Sequence, residues 1–515
     1  MSEKRYKLHP ISALLNFVKG LKDLIIPFVV IFGVNIFRDG GVSGMFTGGW
    51  IELLPVLIGI AVLLFTLIAG IIKWKRFVYW FEDGELRIEY GLFVKKKRYI
   101  PFDRIQSLNY TEGIFHRPLG LVKVRVETAG SGKAGEAEAE LTAISREDAD
   151  RIEKKMEDAK RGIPETPYAE EDGIAAVEEG ASEPKKEVKT IYRMTMKELI
   201  ILATTSGGIG VVISAVGVFL SQFSDLIPYD AIYEEVMLFM RFGYLIVALA
   251  VFAALFIAWI ISVILTVFAN YQFTIQTDED NIYITRGLLE KKKVSVPFKR
   301  IQGIKISQNP LRELFGYSVV AVESAGGSIG AKDEKIRLFP LVKKTAMLPM
   351  LKELFSEMEW NPEMTKAPKR SVHFYYRLEF LWMIPVLGSI SYFFYPYGLL
   401  SLLIVPIVVL LGVWQHRTAG YALSKTQMTM EFRNFSKHSF YMLKKRVQAI
   451  DVMQSYFQRR KKLASIQGTI KSGMLGATAR INYMEQEDAD RILEWYEPSG
   501  SKVKDNEKDQ PEISS

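Results

Sequence analysis

The sequence predicts membrane-spanning helical hairpins alternating with small β-rich domains, each a bent antiparallel sheet or barrel capped by a C-terminal helix, in three repeats. Three observations predict it. Uncharged apolar runs reach membrane-crossing length, the hydrophilic segments after them repeat one another, and Lys and Arg gather on one side of the runs.

A bilayer core takes about 20 helical residues to cross. Leu53–Ile72 is uncharged and ends in Lys73-Trp74-Lys75-Arg76, a basic-aromatic interface anchor. Leu199–Leu220 and Leu245–Phe268 are uncharged too. Leu381–Trp414 is apolar but interrupted by Pro396-Tyr397-Gly398, which predicts two short spans and a tight turn. Leu24–Phe37 is short for a span, and Lys19, Lys22 and Asp23 precede it, as in an amphipathic stretch lying in the interface. Met1–Pro10 is polar and basic with no small-residue cleavage site after a short apolar core, which predicts a retained anchor. Six spans in three hairpins follow. Lys73, Arg76, Arg193, Lys197, Lys369, Arg377 and Arg417 flank one side, whereas the second loop opposite carries Asp225, Asp230, Glu234 and Glu235. The positive-inside bias places both termini and every large hydrophilic segment in the cytoplasm of a multi-pass cell-membrane protein.

The 515 residues hold 49% hydrophobic and 24% charged side chains, the mixture expected when lipid-embedded segments alternate with solvated ones. The net charge of +8 then reports which side the loops face and gives no reason to expect nucleic acid. With no cysteine, thiolate nucleophiles, disulfides and cysteine metal sites are excluded.

The hydrophilic segments repeat at constant spacing. Gly91 maps on Gly287, Lys95 on Lys291, Pro101 on Pro297, and Arg104-Ile105-Gln106 on Arg300-Ile301-Gln302. A third, degenerate copy keeps Lys444-Lys445-Arg446-Val447-Gln448 but lacks the glycine and the Pro-Phe pair. Leu86, Ile88 and Tyr90 alternate with polar residues, as do Val122, Val124 and Val126, which predicts half-buried strands. Gly91 and Gly287 fall at a hairpin turn that favours positive φ. Ser145, followed by Glu147 and Asp148, predicts the N-cap of a closing helix, and Gln486–Leu493 repeats that helical pattern. The expected boundaries are residues 1–76 for the first hairpin, 77–160 for the first β-rich domain and 161–192 for a flexible acidic linker. The second hairpin and domain take 193–269 and 270–358, the third 359–417 and 418–497, and 498–515 is a disordered tail.

An aromatic strand after an apolar hairpin, the Gly-Leu-Phe/Leu turn and two copies of x-Pro-Phe-x-Arg-Ile-Gln together resemble the bPH2 (DUF304) family of bacterial membrane proteins with PH-like domains. The resemblance implies a PH-like fold, a cytoplasmic-membrane location and work alongside another PH-like membrane protein. It also hints at envelope stress and tolerance of antimicrobial peptides.

Lys95-Lys96-Lys97-Arg98 and Lys291-Lys292-Lys293 follow the same turn, and Lys444-Lys445-Arg446 and Arg459–Lys462 add charge to the third copy. Near anionic inner-leaflet lipid each such cation gains about 1 kcal/mol. The competing reading is a solvated strand edge on which lysine blocks edge-to-edge pairing. The Arg-Ile-Gln segments are either a polar notch or, as we favour, structural, with Ile packed inward and Arg and Gln satisfying backbone groups at a bend.

The histidines His9, His116, His373, His416 and His438 lie far apart, and no metal-ligand spacing joins them. Phosphate-loop, Gly-x-Ser-x-Gly and His-Glu-x-x-His motifs are absent, so no enzyme, catalytic residue, metal or cofactor is expected. Gly207, Gly208 and Gly210 predict a close helix contact within a span. The leading expectation is a non-enzymatic scaffold presenting three PH-like modules at the inner leaflet for protein and anionic-lipid binding. The alternative is a transporter or flippase-like component protecting the envelope, against which stands the lack of ionisable residues in the later spans.

Overall fold

A computed structural model describes residues 5–21, 54–128, 138–161, 188–207, 244–325, 336–473 and 476–497, with positions 210, 212–214 and 217. Leu24–Phe37, eight residues in the later part of Leu199–Leu220, the acidic segment Gly162–Glu187 and the tail from Pro498 lie outside the described residues. The chain divides into two compact units, whose border in the second repeat falls between Arg300 and Ile301.

In the first unit, β1 (Tyr6–Lys7) leads into α1 (Ile11–Leu21). α2 (Leu54–Arg76) then delivers the chain to β2 (Val78–Glu82), β3 (Glu85–Tyr90) and β4 (Lys96–Pro101). β1 pairs antiparallel with β2, Tyr6 opposite Tyr79, so the sheet order is β1-β2-β3-β4. Trp74, near the end of α2, donates its indole N–H to the Leu8 carbonyl at 2.8 Å. α1 lies along α2 at Gly70, where an added Cβ would come 3.0 Å from the Ala13 carbonyl oxygen.

β5 (Ile105–Glu112), β6 (Leu121–Thr128), β7 (Ala139–Ser145) and α3 (Arg146–Arg161) complete the repeat. Ser145 is the N-cap of α3, its Oγ accepting from the Asp148 N–H at 3.0 Å. The alternating residues face inward as expected. Leu86, Ile88, Val122, Val124, Val126 and Ile152 are buried in one core, with Tyr90 packed at its margin. Each fully buried aliphatic side chain there contributes about 1.5–3 kcal/mol relative to exposure.

The second repeat begins with β8 (Lys189–Arg193), α4 (Met196–Thr205) and α5 (Tyr244–Asn270). It continues through β9 (Thr274–Thr277), β10 (Asn281–Arg286) and β11 (Lys291–Pro297). These strands build no separate sheet. β11 pairs with β5 of the first repeat, giving one seven-stranded sheet in the order β7-β6-β5-β11-β10-β9-β8.

The second unit repeats the arrangement. β12 (Ile301–Gln308), the short α6 (Pro310–Leu314), β13 (Tyr317–Ser324), β14 (Ile336–Lys343) and α7 (Lys344–Leu354) finish repeat two. β15 (Thr365–Lys366), the antiparallel α8 (Phe374–Phe393) and α9 (Ile404–Thr418), β16 (Gly420–Leu423), β17 (Gln427–Arg433) and β18 (Lys437–Leu443) open repeat three. β18 pairs with β12 in a second seven-stranded sheet, β14-β13-β12-β18-β17-β16-β15. β19 (Val447–Met453), α10 (Tyr456–Arg460), β20 (Leu463–Ile470), β21 (Ala477–Glu485) and α11 (Gln486–Tyr496) close the chain, with Met430, Phe440, Ile466 and Ile492 in their core.

Among the described residues, Leu57–Arg76, Ala248–Asn270 and Tyr397–Thr418 are long and apolar enough to cross a membrane. α8 stops at Phe393 and helical winding resumes at Tyr397, the break expected at Pro396-Tyr397-Gly398.

Two expectations need correction. The sequence places each β-rich domain wholly after its hairpin, but β1, β8 and β15 precede the membrane helices and pair with the strands that follow them. The expected linker 161–192 therefore gives its last residues to β8, and the expected hairpin 359–417 contains β15. Strands of two to five residues show no readable alternation, and only their partners define them. Gly208 and most of the segment that follows it lie outside the described residues; among the described residues a close helix contact is seen at Gly70.

Gly91 and Gly287 have φ of 138° and 109°, and an added Cβ would fall 1.9 and 2.1 Å from the carbonyl oxygens of Val94 and Glu290. Gly287→Ala must therefore shift backbone, at about 1–3 kcal/mol, and thermal unfolding in detergent should show a lowered midpoint.

Candidate functional site

The first basic cluster lies along the outer edge of its sheet. β4 is hydrogen-bonded to β3 through pairs running from Glu85 opposite Pro101 to Tyr90 opposite Lys96. Lys95, Lys96 and Lys97 are exposed. Lys95 and Lys97 reach the carboxylate of the buried Glu89 at 2.5 and 3.3 Å. The hydrogen bond from Lys95, followed by that from Lys97, holds the Glu89 carboxyl below its ordinary value. Arg98 donates to the Glu138 carbonyl and pairs with its carboxylate at 3.6 Å.

The second cluster has a different fate. Lys291, Lys292 and Lys293 sit in β11, within the seam to β5, opposite Glu112, Thr111 and Tyr110. They are half-buried. Lys293 lies over the rings of Tyr110 and Tyr283, at 5.4 and 5.1 Å, and its ammonium is 3.9 Å from Glu153. A solvated edge that lysine keeps from pairing does not describe this copy, because its lysines are inside a pair. The seam also opens into a cleft of about 290 Å³ lined by Glu112, Arg146, Glu153, Lys291 and Lys293.

Ile105 and Ile301 pack inward as the structural reading of the Arg-Ile-Gln segments requires. The arginines diverge. Arg104 is exposed, whereas the buried Arg300 meets Glu127 at 3.4 Å and donates to Ser107 Oγ at 3.2 Å. Glu127 also accepts from Ser107 and from Asn109, at 2.9 and 2.8 Å. Arg300 therefore satisfies side chains of the preceding repeat. Burial outweighs these partners and raises the Glu127 carboxyl above its ordinary value.

In the third copy, Lys444, Lys445 and Arg446 form the single turn between β18 and β19. Lys445 pairs with Glu357 at 2.6 Å, and Lys444 lies over the Trp495 ring at 5.3 Å. The cluster occupies the repeat position of Phe298-Lys299-Arg300, so its likeness to the lysine triplets is one of charge alone.

The feature that recurs in space is apolar. The turn after the third strand presents Phe93, Leu289 and Phe435 at one repeat position, 80%, 46% and 64% exposed. Each turn is tied to the end of a membrane helix. Arg76 donates to the Leu92 carbonyl at 2.7 Å, the Leu288 N–H to Phe268 at 2.8 Å, and Gln415 to the Asn434 carbonyl at 3.0 Å. A second recurring set, Phe115, Leu311 and Phe457, is exposed after the fifth strand. The sequence contained the signal in its Gly-Leu-Phe/Leu turn, whose third residue reads as a packing residue until its exposure is known.

Seven short strands, a closing helix and a membrane insertion after the first strand define a membrane protein built from PH-like domains. Residues 26–160, 226–352 and 382–499 match the bacterial PH domain family, to which the chain belongs. It is 36% identical over 503 residues, covering 96% of this chain and 98% of the relative, to the UPF0699 transmembrane protein YdbT of Bacillus subtilis (strain 168).

Two outcomes follow from the ion pairs. Glu127→Gln leaves the Arg300 charge facing a neutral amide inside the seam and should cost about 3–5 kcal/mol. Faster amide exchange in β5 and β11 would register it, and adding Arg300→Met should recover most of the loss. For Glu89, a carboxyl lowered by folding stabilises above its ordinary value of 4.5 and loses that contribution as pH falls through the lowered one. The melting temperatures of wild type and Glu89→Gln should therefore differ fully at neutral pH and converge in acid, and a gap that widens in acid would contradict the assignment.

Proposed function

We propose that this protein is a non-enzymatic, multi-pass scaffold that holds PH-like modules against the inner leaflet for binding anionic lipid and another PH-like membrane protein. The observation that carries this reading is the tethering of each exposed apolar turn to the end of a membrane helix. A tip so placed lies at headgroup depth, where Phe93, Leu289 and Phe435 bury apolar surface. The neighbouring lysines add attraction to anionic lipid, reduced in the first repeat because Lys95 and Lys97 share Glu89. The positive flanks of six spans in three hairpins orient termini and modules to the cytoplasm. Three modules on one chain gain avidity without a strong individual site. The hydroxyls of Thr204, Thr205 and Ser206 bond to carbonyls of their own helix, which favours an anchor over a conduit.

The chain has no native cysteine, so Phe93→Cys, Leu289→Cys and Phe435→Cys each accept one fluorescent label. In nanodiscs containing anionic lipid, all three should show blue-shifted emission quenched by shallow spin-labelled lipid, whereas water-like, unquenched emission would overturn the lipid contact. For the protein partner, a PH-like membrane protein should cross-link to wild type in native membranes and be lost when Lys95, Lys96 and Lys97 are changed to Gln. Its capture at equal yield by that variant would remove the basic edge from the interface.

A further inference from the structure

Each repeat supplies seven strands, and the fourth strand of one repeat pairs with the fifth of the repeat before it: β11 with β5, and β18 with β12. The two seams share a register. Lys291 lies opposite Glu112 and Lys437 opposite Gln308, which are equivalent positions of the repeat. Two strands of the series are left over, the fourth of repeat one and the fifth of repeat three. Among the described residues β4 is paired to β3 alone and β19 to β20 alone. Their outer edges therefore carry backbone N–H and C=O groups with no ladder partner, the situation that invites strand addition.

The side chains of the two edges fit. Continuing the register of the seams sets Lys95 opposite Gln454, Arg98 opposite Asp451 and Tyr99 opposite Ile450. Guanidinium thus meets carboxylate, and an exposed ring meets a branched side chain. Lysines on β4 are no obstacle, since β11 carries three and is paired. On β19, Ala449, Ile450, Val452 and Met453 stay half-exposed, whereas β5 and β12, which have partners, are mostly buried.

We infer that β4 of one molecule pairs antiparallel with β19 of a second copy of this chain, in the register of the two internal seams. Both halves of this joint lie on one polypeptide, so the contact is head-to-tail and builds closed rings or open rows. The inference rests on the scaffold reading and identifies a partner for it.

The test uses the full chain in native membranes, with two differently tagged copies co-expressed. One copy carries Tyr99→Cys and the other Ile450→Cys, and a parallel pair carries Arg98→Cys and Asp451→Cys. Because opposed Cα atoms alternate between about 4.5 and 5.5 Å, one of these adjacent pairs is placed for a disulfide. Oxidation should give a mixed-tag dimer at one pair or both, and none from Lys95→Cys with Ile450→Cys, which the register sets about 13 Å apart along the strand. Arg98→Asp or Asp451→Arg alone should lower the yield at Tyr99/Ile450 several-fold, and the double reversal should restore it. No mixed-tag dimer, equal yield from the misaligned pair, or capture of a different protein by Cys at position 450 would overturn the inference. Unchanged protease patterns establish that the variants fold. Lipid quenching at position 93 is read separately, so a membrane-docked protein without the cross-link fails this inference and leaves the lipid contact standing.

Discussion

The backbone ladder between consecutive repeats, β5 to β11 and β12 to β18, is the constraint on which the rest depends. The fourth and fifth strands of a repeat belong to different sheets, so each leaves an edge to be satisfied. The next repeat satisfies it, and two smaller sheets become one of seven strands. Side chains then adapt to the seam. Arg300 and Glu127 face each other in its buried part, and Lys293 lies against the aromatic rings of both repeats. A buried charge pair adds little net stability by itself, but it punishes any register that separates its members. The compact units accordingly follow the seams and not the repeats, and their border runs through repeat two.

Placing the membrane segment between the first and second strands has its own consequence. β1 and β2, β8 and β9, and β15 and β16 are neighbours in a sheet, so the chain must return beside the point from which it left. That closure fixes the end of each membrane helix against its domain and brings the turn after the third strand into hydrogen-bonding reach of it. The exposed Phe93, Leu289 and Phe435 are held there by backbone geometry.

The degenerate third repeat shows which features the fold needs. Arg433 stands where the other copies have glycine, at the end of β17, and its guanidinium lies 3.8 Å above the Trp414 ring while donating to Glu313 and Thr418. Leu443 and Lys444 replace the Pro-Phe pair, yet the single turn into β19 persists. The fold therefore survives without the motif. What sets repeat three apart is that its fifth strand, β19, pairs with β20 alone among the described residues.

Periodicity and charge in the sequence determined the apolar helices, the repeats, the inward-facing residues such as Ile88 and Val124, the cap at Ser145 and the turn glycines. All of these are local: a 3.6- or two-residue period, a cap or a positive φ leaves its mark within a few neighbours. Only the tertiary structure decided that β1, β8 and β15 belong to sheets across a membrane segment, that Lys291–Lys293 lie in a seam while Lys95–Lys97 line an edge, and that Arg104 and Arg300 differ. Equivalent residues carry the same local signal in every copy. Their roles diverge because a strand pair is a contact between distant residues, and whether a partner is present is not written in the strand itself.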